Sequence, residues 1–166
     1  MEKDEQGEDY PDNGERAIFF ARGVLETVKK LRWVPDIIHC QGWMSSVVPL
    51  YVKTAYHDEP SFAEAKVVTS LYTHKLDKDL GENFKQCLEF RETTADLLKN
   101  YKDNFDIIEL GKLAIDYSDG IVQSESLVDD ELLAYTKDKN IPFLGYSENV
   151  AEACEDFYET LFPTEE

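Results

Sequence analysis

The sequence predicts an α/β fold in three layers, with helices on both faces of a mostly parallel sheet. Amphipathic helical patterns alternate along the chain with short, apolar, β-branched stretches. The connections between these stretches are long enough for the crossovers that parallel strands require. With 166 residues, of which 42% are hydrophobic, the chain can bury the core of one ordinary domain.

The first predicted helix follows an acidic segment. Residues 1–11 are acidic and lack periodic apolar positions, so we expect a flexible leader there and a single domain over residues 12–166. Residues 12–32 place apolar side chains at spacings of three and four, which predicts an amphipathic helix. Asp12 and Glu15 have the spacing of a capping pair at its start.

The remaining elements keep the alternation. Strands are predicted at residues 36–40, 65–72, 119–124 and 141–146. Helices are predicted over about residues 44–55, 105–118, 127–140 and 148–162, with helical pieces near residues 84–90 and 93–101. Pro142 favours an edge position for the last strand, because proline lacks the N–H that an inner strand needs.

This order of elements is typical of a Rossmann-like domain. In such folds, ligands bind beyond the carboxyl ends of the parallel strands. Residues 40–44, 73–75 and 124–126 each follow one of the predicted strands. We therefore expect these three segments to meet at one edge of the sheet and to form the site.

Charge is the most uneven feature of the composition. The chain carries 35 acidic and 17 basic residues, for a net charge of −18. This charge repels phosphate backbones and anionic lipid, so we expect neither nucleic acid nor a membrane surface as a partner. A local basic pocket for a small anion remains compatible with it.

The cysteines and the N-terminus point to the cytoplasm. The three cysteines are far apart, form no C-x-x-C pair and have no histidine at ligand spacing, which predicts free thiols and no metal site. Cys40, within an apolar strand, is expected to be buried and inert. The N-terminus has no apolar stretch, and the chain has no run of about 18 apolar residues, so neither a signal peptide nor a membrane span is expected.

Several stretches resemble one enzyme family in their order along the chain. They are DNGER, WVPDIIHCQGWM, KVVTSLY and LAIDYSDGIVQSES. The N-terminal catalytic domain of bacterial glycogen and starch synthases shows D-N-x-x-R-F, W-x-P-D-[IV]-[IV]-H-x-H-D-W-H, K-x-[VI]-F-T-[IV]-H-N and A-D-x-[IV]-x-T-V-S-P in that order. The resemblance is close over residues 10–72 and looser over residues 105–126.

The resemblance implies a specific reaction. The family has two domains of the glycosyltransferase-B type and transfers glucose from ADP-glucose to the non-reducing end of an α-1,4-glucan, with retention and without a metal or other cofactor. A nucleotide sugar and an α-glucan are therefore the implied ligands. Only part of the first domain is expected here, because the family's opening strand with its K-x-G-G-L loop and its second nucleotide-binding domain have no counterpart in the sequence.

The resemblance also assigns candidate substrate-binding residues. Asp12, Asn13 and Arg16 match D-N-x-x-R, whose acid lies near the donor sugar in the family. His39 matches the first histidine of H-x-H-D-W-H, and Trp43 matches its tryptophan. Each has a simpler structural interpretation: Asp12 as a helix cap, His39 as a partly buried hydrogen-bonded side chain, and Trp43 as a packing residue.

The sequence departs from the family at polar positions. Gln41 and Met44 complete the substrate-binding candidates by position, although their residue types differ from the family. Gln41 stands in place of the second histidine, and Gly42 replaces the aspartate. Met44 replaces the histidine that contacts the sugar at the reaction centre, and a thioether is only a weak acceptor. Loss of one transition-state contact costs about 2.7 to 4 kcal/mol. We therefore expect the chain to be inactive by itself.

Lysines near the strand ends have two interpretations. Lys75, Lys78 and Lys85 could form a small anion site. Acidic residues alternate with them, which favours a solvated and charge-compensated face.

Three hypotheses remain open on the sequence alone. The chain could be a minimal glucosyltransferase, or a non-catalytic relative that binds glucan or a protein. It could also be a fragment of a longer product, whose sheet then has an open edge. In that case self-association through the edge is expected, and a monomer would count against it.

Overall fold

A four-stranded parallel sheet forms the centre of the protein. The structure is a computed structural model, and it describes residues 2–73 and 76–162. The strands lie in the order β1 (Ile37–Cys40), β2 (Lys66–Leu71), β3 (Gly120–Gln123) and β4 (Phe143–Leu144), and every neighbouring pair is parallel. The predicted α/β fold and the edge position of the last strand are both confirmed.

Seven α-helices accompany the sheet in the described part of the chain. They are α1 (Asn13–Lys30), α2 (Val48–Lys53), α3 (Phe84–Cys87), α4 (Ala95–Leu98), α5 (Ile107–Asp116), α6 (Asp130–Lys139) and α7 (Val150–Glu159). None of them is long and apolar enough to cross a lipid bilayer.

Helices cover both faces of the sheet. Side chains alternate between the faces along each strand. Ile121 of β3 packs with Ile115 of α5 and Leu132 of α6, whereas its neighbour Val122 packs with Phe157 of α7 on the opposite face. The largest core cluster joins α1 and α2 to β1, β2 and α5. The sheet and the helices on its two faces are the three layers that the sequence predicted.

The start of α1 differs from the predicted capping pair. The Asp12 carboxylate makes no bond to a backbone N–H of the helix and instead accepts a hydrogen bond from Arg16 Nε at 2.8 Å. The expected cap by Asp12 is therefore wrong, because the guanidinium one turn later competes for the same oxygen. Gly14 lies where α1 packs closely against the backbone of Leu80. A Cβ at Gly14 would lie 2.4 Å from the carbonyl oxygen of Leu80.

The second helix is shorter than predicted. A 3₁₀ turn over Trp43–Ser45 follows β1, and α2 spans only Val48–Lys53. Pro49 lies in the first turn of α2, where its missing N–H is tolerated. The hydroxyl of Ser45 donates to the carbonyl oxygens of Gln41 and Gly42 and holds the separate 3₁₀ turn.

The acidic N-terminal segment folds back against the domain. Lys3 and Asp9 form an isolated antiparallel bridge, and only 3% of Asp9 is exposed. Burial alone would raise the pKa of Asp9, but hydrogen bonds from the backbone N–H groups of Lys78 and Asp77 hold it below its ordinary value. The segment therefore does not run as an extended leader, and its flexibility stays a prediction.

Candidate functional site

A crevice of about 670 Å³ opens beyond the carboxyl ends of the first three strands. Its walls are Gly42 and Trp43 after β1, residues 69–73 at the end of β2, and residues 127–130, which lead into the start of α6. Side chains of α5 complete the wall. Both the volume and the place in the fold are typical of small-molecule sites in α/β proteins.

Hydrogen bonds join the loops that border the crevice. The backbone N–H of Thr73 donates to Glu125 Oε2 at 3.0 Å, and the Thr73 hydroxyl donates to the carbonyl oxygen of Leu127 at 2.5 Å. The expected meeting of residues 73–75 with residues 124–126 is therefore found for Thr73 and Glu125. Residues 74 and 75 lie outside the described residues.

The described lining of the crevice carries negative charge. Among its described lining residues there is no lysine, arginine or histidine, whereas three are aspartates, Asp77, Asp129 and Asp130. Lys3 pairs with Asp77 at 2.5 Å, so the uncompensated charge among these residues comes from Asp129 and Asp130. Asp129 also caps α6 by accepting the N–H of Glu131 at 2.9 Å. Carboxylates accept hydrogen bonds from hydroxyl groups and repel phosphates. The crevice thus favours a neutral ligand with hydroxyl groups.

A chain of hydrogen bonds crosses the sheet beside the crevice. His39 Nδ1 lies 2.5 Å from the Tyr158 hydroxyl, and His39 Nε2 lies 2.7 Å from Ser70 Oγ. Ser124 donates to Ser70 at 2.8 Å. Burial lowers the pKa of His39 and raises the pKa of Tyr158 to about 12, so both side chains are neutral near pH 7.

The direction of donation along this chain follows from its chemistry. One nitrogen of a neutral imidazole donates and the other accepts. Ser70 accepts from Ser124, so its own proton is free to go to His39 Nε2, and His39 Nδ1 then donates to Tyr158. The network links β1, β2 and β3 to α7. It leaves His39 no free nitrogen for a ligand.

Comparison with known proteins assigns the family. The sequence model described as the starch synthase catalytic domain matches residues 2–139. The chain belongs to this family. The sequence resemblance to glycogen and starch synthases is thereby confirmed.

Relatives of the starch synthase family are longer than this chain. The glycogen synthase of Chlorobium limicola is 32% identical over 132 residues, which cover 80% of this chain and 26% of that protein. The glycogen synthase of Chlorobium luteolum is 47% identical over 66 residues, which cover 40% and 14%. The chain thus matches about a quarter or less of the length of these two proteins.

A solved structure shares the fold. It is the catalytic domain of Starch Synthase IV from Arabidopsis thaliana bound to ADP and acarbose. The TM-score is 0.61 at 18% sequence identity, and the match covers 81% of this chain and 29% of that one. The similarity supports the α/β architecture of the starch synthase domain.

The second starch synthase motif lies partly at the crevice. Trp43 lines it, but only 5% of Trp43 is exposed and its Nε1 lies 3.3 Å from a Glu2 carboxylate oxygen, so its ring is not open to a sugar. Gln41 Oε1 accepts a hydrogen bond from Tyr72, which lines the crevice, at 3.4 Å. His39, a residue of β1, contacts Tyr158 of α7 and is absent from the crevice lining.

The first motif lies elsewhere. Asp12 and Arg16 line a separate groove along α1, and Met44 lies there too. Asn13 is 3% exposed and donates to the carbonyl oxygen of Glu2 at 2.9 Å. The structure brings Asp12, Arg16 and Met44 together, but not with the crevice. Substrate binding by the seven candidate residues stays a prediction.

Sequence reasoning missed the acidic wall of the crevice. Asp129 and Asp130 lie at the start of a helix, where aspartate is common because it caps the helix. Their residue type therefore did not indicate a binding site. Asp77 lies in an irregular loop. Of the segments predicted at this edge, Gly42, Trp43 and Thr73 do line the crevice.

Two other expectations concern lysines and metals. Lys78 pairs with Glu8 at 3.1 Å and Lys85 pairs with Asp103 at 3.0 Å, as on a charge-compensated face, whereas Lys75 lies outside the described residues. Over residues 2–73 and 76–162, no three His, Cys, Asp or Glu side chains converge as a metal site requires.

Proposed function

We propose that this chain supplies the glucan-binding part of a starch synthase-type glucosyltransferase and transfers no glucose by itself. The family reaction is glucosyl transfer from ADP-glucose to an α-1,4-glucan. The observation that carries the proposal is the crevice at the carboxyl ends of the strands, whose described lining has aspartates and no cationic side chain.

The chemistry of the crevice favours the acceptor over the donor. A glucan is neutral and offers many hydroxyl groups, which can donate to Asp129 and Asp130. The aliphatic side chain of Leu127, which lines the crevice and is 80% exposed, can pack against the apolar faces of the sugar rings. A diphosphate would meet like charge, and the described lining residues offer it no cation.

Two features argue against catalysis by this chain alone. Met44 stands where the family has a sugar-contacting histidine, and it lies in the α1 groove, away from the crevice. The matched residues also make up only 26% of the Chlorobium limicola relative. A complete transferase would therefore need donor-binding groups from outside the matched region.

Binding measurements test the proposal. We expect glycogen to retard the chain in affinity electrophoresis, and ADP to give no heat in calorimetry. Asp130→Asn should weaken glucan binding at least about tenfold, because a hydrogen bond to a charged group is worth about 1.5 to 3 kcal/mol and each 1.4 kcal/mol is a factor of about ten. Asp138→Asn, on the same helix but away from the crevice, is the matched control. Binding of ADP without glucan would overturn the assignment to the acceptor.

A turnover assay tests the second half of the proposal. The chain and a Met44→His variant are incubated with ADP-glucose and glycogen, and ADP release is followed. We expect no release above a protein-free control from either protein. Release by the unmodified chain would show that it is a glucosyltransferase in its own right.

A protein-binding role is the second candidate function. It is favoured by an exposed apolar face on α1 rather than by the crevice. For either role we propose a cytoplasmic setting, because Cys40, Cys87 and Cys154 are all free thiols.

A further inference from the structure

The outer face of α1 is apolar and open to solvent. We name the apolar stripe by its residues Phe19, Phe20, Val24, Leu31 and Trp33, which are 80%, 41%, 38%, 71% and 60% exposed. They border a groove of about 790 Å³ along the helix. Single exposed apolar residues are common, but a contiguous patch of this kind marks an interaction surface.

The charges of α1 are unevenly placed around the stripe. Asp12 lies at the start of the helix and Lys30 at its end. Asp12 Oδ1 accepts a hydrogen bond from Arg16 at 2.8 Å, so its Oδ2 is the oxygen left for a lysine of a second copy. They are separated by five helical turns, because α-helices have about 3.6 residues per turn, so they lie on the same side of the stripe. Lys30 forms no ion pair with any residue that the structure describes.

We propose that the apolar stripe binds a second copy of this chain, with the two α1 helices antiparallel around a two-fold axis. Such an axis, level with residue 21, places Asp12 of each copy opposite Lys30 of the other. The complementary charges therefore meet twice. A parallel arrangement would instead bring like charges together.

The same axis gives Phe19 a place to pack. It lies level with Gly23 of the second copy, and a Cβ at Gly23 would have no heavy atom within 4 Å. The most exposed ring of the stripe thus faces an open glycine position. Phe20 and Val24 add uncharged side chains to the centre of the contact. An uncharged centre suits two chains that each carry a net charge of −18, because it adds no repulsion between them.

The helix face suits this contact better than the sheet edge. The edge strands β1 and β4 have only four and two residues, and short edges are poor templates for pairing between chains. Association through the sheet edge, which the sequence suggested, remains the competing arrangement. The test is designed to separate the two.

The first test is the concentration dependence of mass by analytical ultracentrifugation of the full chain. We expect a monomer–dimer equilibrium. Phe19→Ser should raise the dimer dissociation constant by at least about a hundredfold, because a central aromatic is removed from both sides. Leu127→Ser, equally exposed but at the crevice, is the matched control and should change nothing. A wild-type chain that stays monomeric at all concentrations overturns the proposal.

The second test exchanges the charges. Asp12→Lys and Lys30→Glu should each weaken the dimer roughly tenfold, since two ion pairs become repulsive. The double variant should restore wild-type association. Circular dichroism confirms that each variant is folded. A dimer that ignores Phe19→Ser, or a double variant that stays weakened, shows that another surface or another orientation is used.

Discussion

The Tyr158 hydroxyl lies 2.5 Å from His39 Nδ1 and so connects the last helix to the first strand across 119 positions of sequence. The rings meet edge to face, with centroids 5.7 Å apart. Through Ser70 and Ser124, the same network reaches β2 and β3. Polar bonds therefore hold α7 on the sheet in addition to apolar packing.

Removal of the Tyr158 hydroxyl should lower stability. Tyr158→Phe keeps the ring but leaves His39 Nδ1 without its partner, and the expected loss is about 1 to 2 kcal/mol in the free energy of unfolding. Urea denaturation measures it. Tyr146→Phe, at a side chain 48% exposed, is the control and should be neutral. An unchanged Tyr158→Phe protein would mean that water replaces the hydroxyl at no cost.

Stability should also depend on His39 ionisation. Burial lowers the pKa of folded His39 below the ordinary value of 6.5, so the unfolded chain takes up this proton first as the pH falls. The free energy of unfolding should decrease from about pH 6.5 down to the lowered pKa. His39→Gln should flatten this part of the profile. An equally steep decrease in the variant would assign it to other groups.

The three thiols should react at very different rates. Cys87 is exposed, whereas Cys40 and Cys154 are buried, and burial raises the pKa of Cys40 to about 12. Iodoacetamide at neutral pH should label Cys87 alone in the folded protein and all three in urea. Peptide mass spectrometry reads the sites. Rapid labelling of Cys40 without denaturant would contradict its buried position at the end of β1.

Two glycines of α1 should respond to alanine in opposite directions. A Cβ at Gly14 would lie 2.4 Å from a backbone oxygen, whereas one at Gly23 would meet nothing. Gly14→Ala should cost about 1 to 3 kcal/mol through overpacking, and Gly23→Ala should gain about 0.5 to 1 kcal/mol through helix propensity. Both are compared in the Phe19→Ser background, so that dimer formation does not enter. A stabilised Gly14→Ala protein would mean that α1 can move away from Leu80.

The order of elements could be predicted because it depends on local patterns. Spacings of three and four specify α1, α5 and α7, and β-branched runs specify β1 and β2, whatever else the chain contacts. Family membership was also visible, because motif order is a property of the sequence. Prediction failed where nearby groups compete for the same partner or restrict the backbone. Arg16 binds the carboxylate of Asp12, which therefore does not cap α1, and α2 begins only one residue before Pro49.

The location of the candidate site could be predicted from the sequence, but the side chains that line it could not. Parallel strands place their carboxyl ends together, so a crevice at that edge follows from the sequence alone. The tertiary structure decided which side chains reach it. His39 is taken up by Tyr158 and Ser70, Asp12 and Met44 lie in the α1 groove, and Asp77 and Asp130 form the wall instead. The reason is physical: periodicity depends on neighbours along the chain, whereas hydrogen-bond partners and exposure depend on residues brought together from distant positions.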